Sequence, residues 1–158
     1  MAKFYSAALP EETPKSKRRV RQSLSEVDSL VVLHSVAWQS RRNGRQADGE
    51  ADFIVLMAQR GILILEVKGG GVEIIDGVWY STDARNMRHK IKNPFHQAKD
   101  SKYALLTYLR SVDATLSHIP IVHAVVFPDI VVQAGLGPEA PRQLIIDRAS
   151  ISVLRTLF

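Results

Sequence analysis

The feature that most constrains this chain is a pair of apolar runs between Asp52 and Lys68, joined at Gln59, Arg60 and Gly61. Both runs are apolar at nearly every position, which is typical of strands that are covered on both faces. The glycine in the short connection supplies the conformational freedom that a tight reversal often needs. The pattern therefore predicts a hairpin of two buried strands.

The outer ends of this predicted hairpin carry charge. Asp52 opens the first strand, while Glu66 and Lys68 close the second. Side chains alternate along a strand, so Glu66 and Lys68 share one face, and a turn centred on Gln59 or Arg60 puts Asp52 on that face too. Charged groups at the edge of a dry core are costly unless they bind each other or a cation. The pattern predicts either an edge salt bridge or a cation site.

Composition narrows the class of protein. With 158 residues and 46% hydrophobic residues, the chain is long enough for one domain with a real core. It has no apolar run near the roughly 20 residues that span a bilayer and no signal-peptide pattern, which predicts a cytoplasmic protein without membrane contact. The absence of cysteine excludes disulfides and thiolate metal sites. A net charge of +5 favours a polyanionic partner, although solubility alone is the alternative explanation.

The order of elements predicts the fold class. Residues 1–13 are expected to be a flexible leader, and residues 14–158 a single domain. Thr13 is the expected cap of a first helix, with Pro14 at its first position and an end near Val27. The other predicted elements are a strand from Leu30 to Trp38, a polar loop from Ser40 to Gly49, a hairpin of Val72–Ile75 and Val78–Tyr80, a helix from Asn93-Pro94 to about Arg110, strands at Ile119–Phe127 and Leu144–Ile146, and a helix starting in Ala149–Leu157. Together they predict an α/β fold in which helices flank a mixed sheet.

The carboxyl end of the sequence is apolar and carries no helix stop signal. We therefore expect this chain to be the amino-terminal part of a longer protein.

Basic residues form two clusters. The residues concerned are Arg18, Arg19 and Arg21 in the first predicted helix, and Arg85, Arg88, Lys90 and Lys92 before the second. Both clusters are candidates for contacts with nucleic-acid phosphates, and a solvated basic face is the equally weighted alternative for the first.

Several other residues are weaker candidates for function. His34 and His123 lie in predicted strands and are expected to be core residues. Trp38 and Trp79 could stack on bases, but packing is the favoured interpretation of both. Gly69-Gly70-Gly71 lacks the Lys-Ser/Thr ending of a phosphate-binding loop, so ATP binding is not expected.

The order of motifs resembles that of the nuclease-related domain (NERD) family. The resemblance rests on Asp52, Gly61, the run Ile64–Lys68 and the run Asn93–Ala98, and it covers roughly residues 14–128. It implies a PD-(D/E)xK, restriction-endonuclease-like α/β core, with a mixed β-sheet flanked by helices. By the same resemblance, Asp52, Glu66 and the backbone carbonyl of Val67 are metal ligands, Lys68 is the catalytic lysine, and Gln97 is the glutamine of the following helix.

The sequence departs from this family in one place. The first helix of the family often carries a glutamate that faces the site, but the matching stretch here, Ser16–Val20, contains no acid. Glu50 precedes Asp52 by two positions and is a candidate replacement ligand, whereas a solvated loop residue is the favoured alternative.

Two functions remain open. The first is a metal-dependent nuclease that hydrolyses DNA with Mg²⁺ or Mn²⁺, since hard oxygen ligands suit these ions. The second is a catalytically decayed module that binds DNA or regulates a larger protein. The resemblance further implies a role in DNA repair, a fused or associated helicase-type domain, and a homodimer as a candidate assembly.

Overall fold

The apolar hairpin lies in the middle of a six-stranded sheet. The computed structural model describes residues 1–5, 9–42 and 45–155, with side chains for all of these except 40–42, 45–47 and 155. The strands are, in chain order, β1 (Lys3–Phe4), β2 (Leu30–Arg42), β3 (Arg45–Met57), β4 (Gly61–Val67), β5 (Gly71–Ile75), β6 (Val78–Thr82), β7 (Arg88–Lys90), β8 (Ile121–Phe127) and β9 (Ile145–Asp147). The α-helices are α1 (Lys15–Ser25) and α2 (Pro94–Val112), and short 3₁₀ helices lie at Ala114–His118, Arg142–Leu144 and Ile151–Arg155.

The large sheet is mixed. Its strand order is β1-β2-β3-β4-β8-β9, with β2, β3 and β4 antiparallel and β1, β8 and β9 each parallel to a neighbour. Met57 pairs with Gly61, so the reversal centres on Gln59, as predicted. Gly61 has a φ of 116°, and a Cβ there would lie 2.3 Å from the carbonyl oxygen of Pro120. The turn therefore requires glycine at this position.

Helices cover both faces of β4, which explains its continuous apolar run. Val20 and Leu24 of α1 are fully buried, and they pack with Leu63 and Leu65 of β4 on one face. Ile62, Ile64 and their neighbours pack on the other face, where the apolar residues of α2 are Leu105, Leu106 and Leu109. The prediction of an α/β fold with a mixed sheet between helices is confirmed.

A second, three-stranded sheet follows β4. The predicted hairpin forms as β5 and β6, and the turn residues Asp76 and Gly77 both have positive φ. Trp79 is buried with its ring centroid 5.7 Å from that of Phe95, so it packs in the core rather than facing a ligand. β7 was not predicted, because its exposed side chains give no apolar alternation and its pairing with β6 depends on backbone hydrogen bonds.

The predicted loop from Ser40 to Gly49 is wrong. The backbones of 40–42 and 45–49 continue β2 and β3, and the pairing extends to Arg42 and Arg45. The polar sequence suggested a loop, because strands are recognised in a sequence by their apolar residues. A two-stranded ribbon, however, can form through backbone hydrogen bonds without burying a face. The tip of that loop, Asn43 and Gly44, lies outside the described residues.

Three predicted ends also differ from the structure. Helix α1 begins at Lys15 with Pro14 at its cap position, so Thr13 is not the cap, and no side chain caps this end of the helix among the described residues. The helix ends at Ser25 rather than near Val27. The helix predicted from Ala149 is only a 3₁₀ turn at Ile151–Arg155, and the rest of that prediction lies outside the described residues.

The predicted leader includes a short strand. Lys3 and Phe4 form β1 against Val31 and Val32 of β2. In the described ranges, no helix combines the length and the apolar character that crossing a bilayer requires.

One buried acid holds the last strand in place. Asp147 is 1% exposed and accepts hydrogen bonds from the backbone N–H of Val132 at 2.9 Å and of Ser150 at 2.8 Å. Arg142 lies 3.3 Å from the same carboxylate. Burial alone would raise the pKa of Asp147, but these hydrogen bonds and the charge of Arg142 outweigh it and lower the pKa.

Replacing this acid should destabilise the protein. We expect Asp147→Ala to lose about 2–4 kcal/mol at neutral pH, because buried N–H groups lose a charged acceptor. The folded-state pKa is lowered, so the contribution of the ionised group is present above the unfolded pKa of about 3.9 and is lost as pH falls through the folded value. The difference in free energy of unfolding between wild type and Asp147→Ala should therefore become smaller in acid. Urea unfolding measures both effects.

The matched control is Asp28→Ala. Asp28 is 88% exposed and pairs with the terminal amine. This change should leave the free energy of unfolding nearly unchanged, because an exposed ion pair contributes little to stability. Equal losses in the two variants would contradict the anchoring role of Asp147.

Candidate active site

Charged side chains line a cleft of about 460 Å³ at the point where the pairing of β3 with β4 ends. Its lining residues are Lys17, Ala37, Asp48, Gly49, Glu50, Asp52, Glu66, Val67, Lys68, Lys92 and Gln97. The structure thus brings together the site residues predicted from the sequence, Asp52, Glu66, Lys68 and Gln97. Glu50 is exposed but lines the same cleft as Asp52, as the candidate replacement ligand requires.

Asp52 is held at an irregular point of the sheet. The ladder pairs His34 with Phe53 and Val36 with Ala51, while Ser35, opposite Asp52, has a φ of 52°. Ala51 and Ile54 pack in the same apolar cluster although they are three residues apart, so the alternation of side chains is interrupted between them. The irregularity turns Asp52 toward the cleft.

Both oxygens of Asp52 are engaged, and its side chain is only 7% exposed. Oδ2 accepts a hydrogen bond of 2.8 Å from the backbone N–H of Val67, and Oδ1 forms an ion pair with the ammonium of Lys17. The first contact ties β3 to the end of β4, beyond the last backbone pair of the two strands. The second joins the cleft to helix α1.

Glu66 is the second buried carboxylate of the cleft. It is 4% exposed, and its Oε1 lies 2.9 Å from Nζ of Lys68. Burial, and then the negative charge of Asp52, raise the pKa of Glu66 to about 7, against the opposing effects of Lys68 and Lys17. The cleft without a ligand is therefore short of positive charge. The contact between Glu66 and Lys68 is the edge salt bridge that the sequence offered as one alternative. Because such a pair forms with or without catalysis, it is not evidence for a nuclease.

Gln97 reaches the cleft from the first turn of α2. The helix start is fixed by Asn93, whose side chain accepts a hydrogen bond of 2.9 Å from the N–H of Phe95, as predicted for a cap. Pro94 and Phe95 are buried. Oε1 of Gln97 is buried and has no hydrogen-bond partner among the described residues. A buried acceptor left without a partner costs about 1–3 kcal/mol, which suits a position that receives a ligand or a bound water.

Lys17 is the residue of the cleft whose role the sequence did not reveal. It directly precedes Arg18 in the basic stretch of the first helix, where its charge alone does not separate it from its neighbours. The available signal was its spacing from Val20 and Leu24, since positions i, i+3 and i+7 share one face of a helix. Its side chain is 25% exposed. Burial alone would lower the pKa of Lys17, but the hydrogen bond to Asp52 and the charges of Asp52, Glu50 and Glu66 raise it.

Helix α1 is fixed beside the cleft by contacts with the chain that follows β4 and β8. Arg19 donates to the carbonyl of Pro128 at 2.7 Å and to Asp129 at 2.9 Å, and the other oxygen of Asp129 accepts from the N–H of Gly70. A Cβ on Gly69 would lie 2.8 Å from the hydroxyl oxygen of Ser16. The helix therefore has little freedom to move away from the cleft.

The residues of the first predicted basic cluster all have intramolecular contacts. Arg18 donates to the carbonyls of Pro10, Glu11 and Thr13. Arg21 lies over the ring of Phe4 at 4.1 Å. With Arg19 bound to Asp129, these contacts stabilise α1 and its approach segment. They do not present three free cations to a phosphate.

The second basic cluster is more open. Arg88 pairs with Glu73 at 2.9 Å. Arg85 and Lys90 are exposed, and Lys92 is exposed at the cleft itself. The surface available for phosphate contacts is therefore mainly at and before the start of α2.

The donor set of the cleft suits a hard cation. In the part of the chain that the structure describes, no three His, Asp or Glu side chains are grouped to hold a metal ion. Asp52 and Glu66 nevertheless offer carboxylate oxygens beside the unpartnered oxygen of Gln97. Magnesium usually keeps several waters and needs only one or two carboxylates, so these residues fit one such ion.

The histidines do not contribute to this donor set. His34 is buried against Phe53, with ring centroids 6.4 Å apart, as expected of a core residue. His123 is only half-buried, so its prediction as a core residue is wrong. His96 is exposed and contacts Glu139. Trp38 is half-buried and its Nε1 donates to the hydroxyl of Ser101 at 3.1 Å, as packing predicts.

The fold and the cleft define a mixed α/β protein with two buried carboxylates on adjacent strands, just beyond the last backbone pair of those strands. The sequence model of the nuclease-related domain (NERD) family matches residues 14–128, and the chain belongs to this family. Comparisons with curated proteins and with solved structures give no match.

Neutralising Glu66 should change how stability depends on pH in the absence of metal. Its folded-state pKa is raised to about 7, so the folded protein binds more protons than the unfolded chain between the unfolded value of about 4.3 and that pKa. Wild type in EDTA should lose stability as pH rises through this range, with a slope of at most about 1.4 kcal/mol per pH unit. Glu66→Gln should reduce this slope and be the more stable protein at pH 8.

The control is Glu73→Gln, since Glu73 is 48% exposed. It should keep the slope that Glu66 causes, because Glu66 and its surroundings are untouched. If the free energy of unfolding of wild type did not change between the unfolded and folded pKa values of Glu66, burial would not destabilise the ionised form of Glu66.

Proposed function

We propose that the protein is a metal-dependent nuclease that hydrolyses phosphodiester bonds of DNA with Mg²⁺ or Mn²⁺. The observation that carries this proposal is the meeting of Asp52, Glu66, Lys68 and Gln97 in one cleft. Membership of the nuclease-related domain family supports the same class of reaction.

The residues of the cleft have complementary chemical roles in this proposal. A cation held by Asp52, Glu66 and the carbonyl of Val67 would supply positive charge against the scissile phosphate. The ammonium of Lys68, fixed by Glu66, can orient the attacking water or stabilise the negative charge that develops. The unpartnered oxygen of Gln97 can accept a hydrogen bond from that water, and Lys92 can bind a substrate phosphate at the rim.

Variants of the cleft test this proposal. Asp52→Asn and Glu66→Gln should lose metal binding, because an amide oxygen is a weaker ligand for a hard cation. Lys68→Ala should bind metal but cleave at least ~100-fold more slowly, since it removes a charge placed at the reacting group. A double variant should be little worse than either single one, because these groups act as a unit. Plasmid nicking with Mg²⁺ or EDTA and calorimetric metal titration are the measurements.

The control for cleavage is Glu73→Gln, which lies outside the cleft and should cleave like wild type. DNA binding in EDTA should survive in all these variants, which separates chemistry from affinity. Cleft variants that cleave as well as wild type would reject the assignment of the site. A wild-type protein that neither binds metal nor cleaves would reject the proposed function.

The second candidate function is a catalytically decayed module that binds DNA or regulates a larger protein. The observation that favours it is the ion pair of Lys17 with Asp52, because α1 contributes a cation where a further carboxylate would help to bind metal. For both candidate functions we propose a cytoplasmic role in DNA repair, a helicase-type partner domain and assembly as a homodimer.

Phosphate contacts in this proposal come mainly from Arg85, Lys90 and Lys92. Lys90→Ala should weaken duplex binding and reduce the slope of log affinity against log salt by about 0.9, the value for one phosphate contact. It should not change the free energy of unfolding. Arg19→Ala, by contrast, should lower stability because it removes the contacts to Pro128 and Asp129. Fluorescence anisotropy at rising salt and urea unfolding measure the two effects.

The control for binding is Arg110→Ala, at the far end of α2 from the cleft. It should leave affinity and salt slope unchanged. Equal loss of affinity in the Arg110 and Lys90 variants would indicate a diffuse charge effect and no local phosphate site.

A further inference from the structure

The contact between Lys17 and Asp52 restricts how much additional positive charge the cleft can hold. We propose that the ammonium of Lys17 takes the place beside Asp52 that a second divalent cation would take, so that the cleft binds a single divalent cation. This inference rests on the proposed function, because it concerns metal occupancy of the same cleft.

Lys17 is directed into the protein by its helix. It shares a face of α1 with Val20 and Leu24, which are fully buried. The contacts of Arg19 with Asp129 and of Ser16 with Gly69 hold that helix against the loop after β4. A flexible surface lysine could leave Asp52 at little cost, whereas this lysine is held at the cleft by the packing of its own helix.

The oxygen atoms of the two carboxylates leave room for one cation. Oδ2 of Asp52 accepts the N–H of Val67, and Oδ1 pairs with Lys17. Glu66 contacts Lys68 through Oε1, and the unpartnered oxygen of Gln97 lies in the same cleft. One cation beside Glu66 and Gln97 can therefore still bind the second lone pair of Asp52 Oδ2, while Oδ1 is already paired with an ammonium.

The charge of the cleft also disfavours a second divalent cation. The four carboxylates that line it, Asp48, Glu50, Asp52 and Glu66, face the three ammonium groups of Lys17, Lys68 and Lys92. When all are ionised, the excess is one negative charge. One divalent cation reverses this excess to a single positive charge, and a second would add two more. Unit charges a few ångströms apart at the edge of a protein repel strongly, so the second ion is disfavoured.

Manganese titration of three variants tests the inference. Lys17→Met keeps the length and apolar stem of the side chain but removes its charge, Lys17→Glu adds a carboxylate, and Lys15→Met is the matched control on an exposed position of the same helix. Calorimetry with Mn²⁺ alone gives the affinity and the number of ions bound, without DNA and without turnover.

Wild type and Lys15→Met should bind one Mn²⁺. Lys17→Met should bind Mn²⁺ at least ~10-fold more tightly, because the competing ammonium is gone. Lys17→Glu should bind two ions, since it supplies both the missing carboxylate and the space. Urea unfolding checks that each variant is folded, and if Lys17→Glu does not fold, the affinity of Lys17→Met decides.

Two Mn²⁺ ions bound to wild type, or an unchanged affinity in Lys17→Met, would overturn the inference. Absence of Mn²⁺ binding in both wild type and Lys17→Met would overturn it as well, since removal of the cation should then make the cleft competent. Nuclease assays distinguish a failure of this inference about Lys17 from a failure of the proposed function. A wild type that binds one ion without cleaving rejects only the nuclease, and one that binds two ions and cleaves rejects only the role of Lys17.

Discussion

The hydrogen bond from the N–H of Val67 to the carboxylate of Asp52 is the interaction around which the cleft is built. Backbone pairing of β3 with β4 runs from Met57 to Phe53, and at the next position the Asp52 side chain accepts the N–H that a backbone carbonyl would otherwise receive. Beyond it β3 continues with β2 as a ribbon, while β4 ends. The strands can separate there without leaving a buried donor unpaired, and the separation creates the cleft.

This arrangement also explains why the charges are tolerated so close to the core. Burying a carboxylate without compensation is costly, and two neighbouring carboxylates raise that cost. Asp52 is paired with Lys17 of α1, and Glu66 is paired with Lys68, which directly follows β4. The compensation is incomplete, as the raised pKa of Glu66 indicates. A purely structural cluster would be more stable with apolar residues of similar size, so the uncompensated charge favours a cleft that binds a cation.

The sequence predicted the parts of the fold in which local pattern and tertiary packing agree. The buried hairpin, its turn at Gln59 and the cap at Asn93 followed from apolar runs and turn chemistry, and the α/β class followed from their order. The convergence of Asp52, Glu66, Lys68 and Gln97 followed from the family motif. The ribbon of β2 and β3 beyond Trp38 could not be predicted, because its backbone pairing needs no apolar alternation and leaves no trace in the composition.

Charge was the least reliable guide, because a basic residue in sequence does not reveal its partner in space. Arg18, Arg19 and Arg21 suggested a surface for phosphates, yet Arg18 contacts backbone carbonyls, Arg19 contacts Asp129 and Arg21 covers Phe4. Lys17, one position before them, is turned inward to Asp52 instead. The helical period separates these neighbours, since a rotation of about 100° per residue puts adjacent side chains on different faces. The basic residues of a helix therefore have to be sorted by helix face before any of them is assigned to a polyanion. On α1, Lys17 faces the cleft, whereas the three arginines that follow it hold the helix beside the cleft.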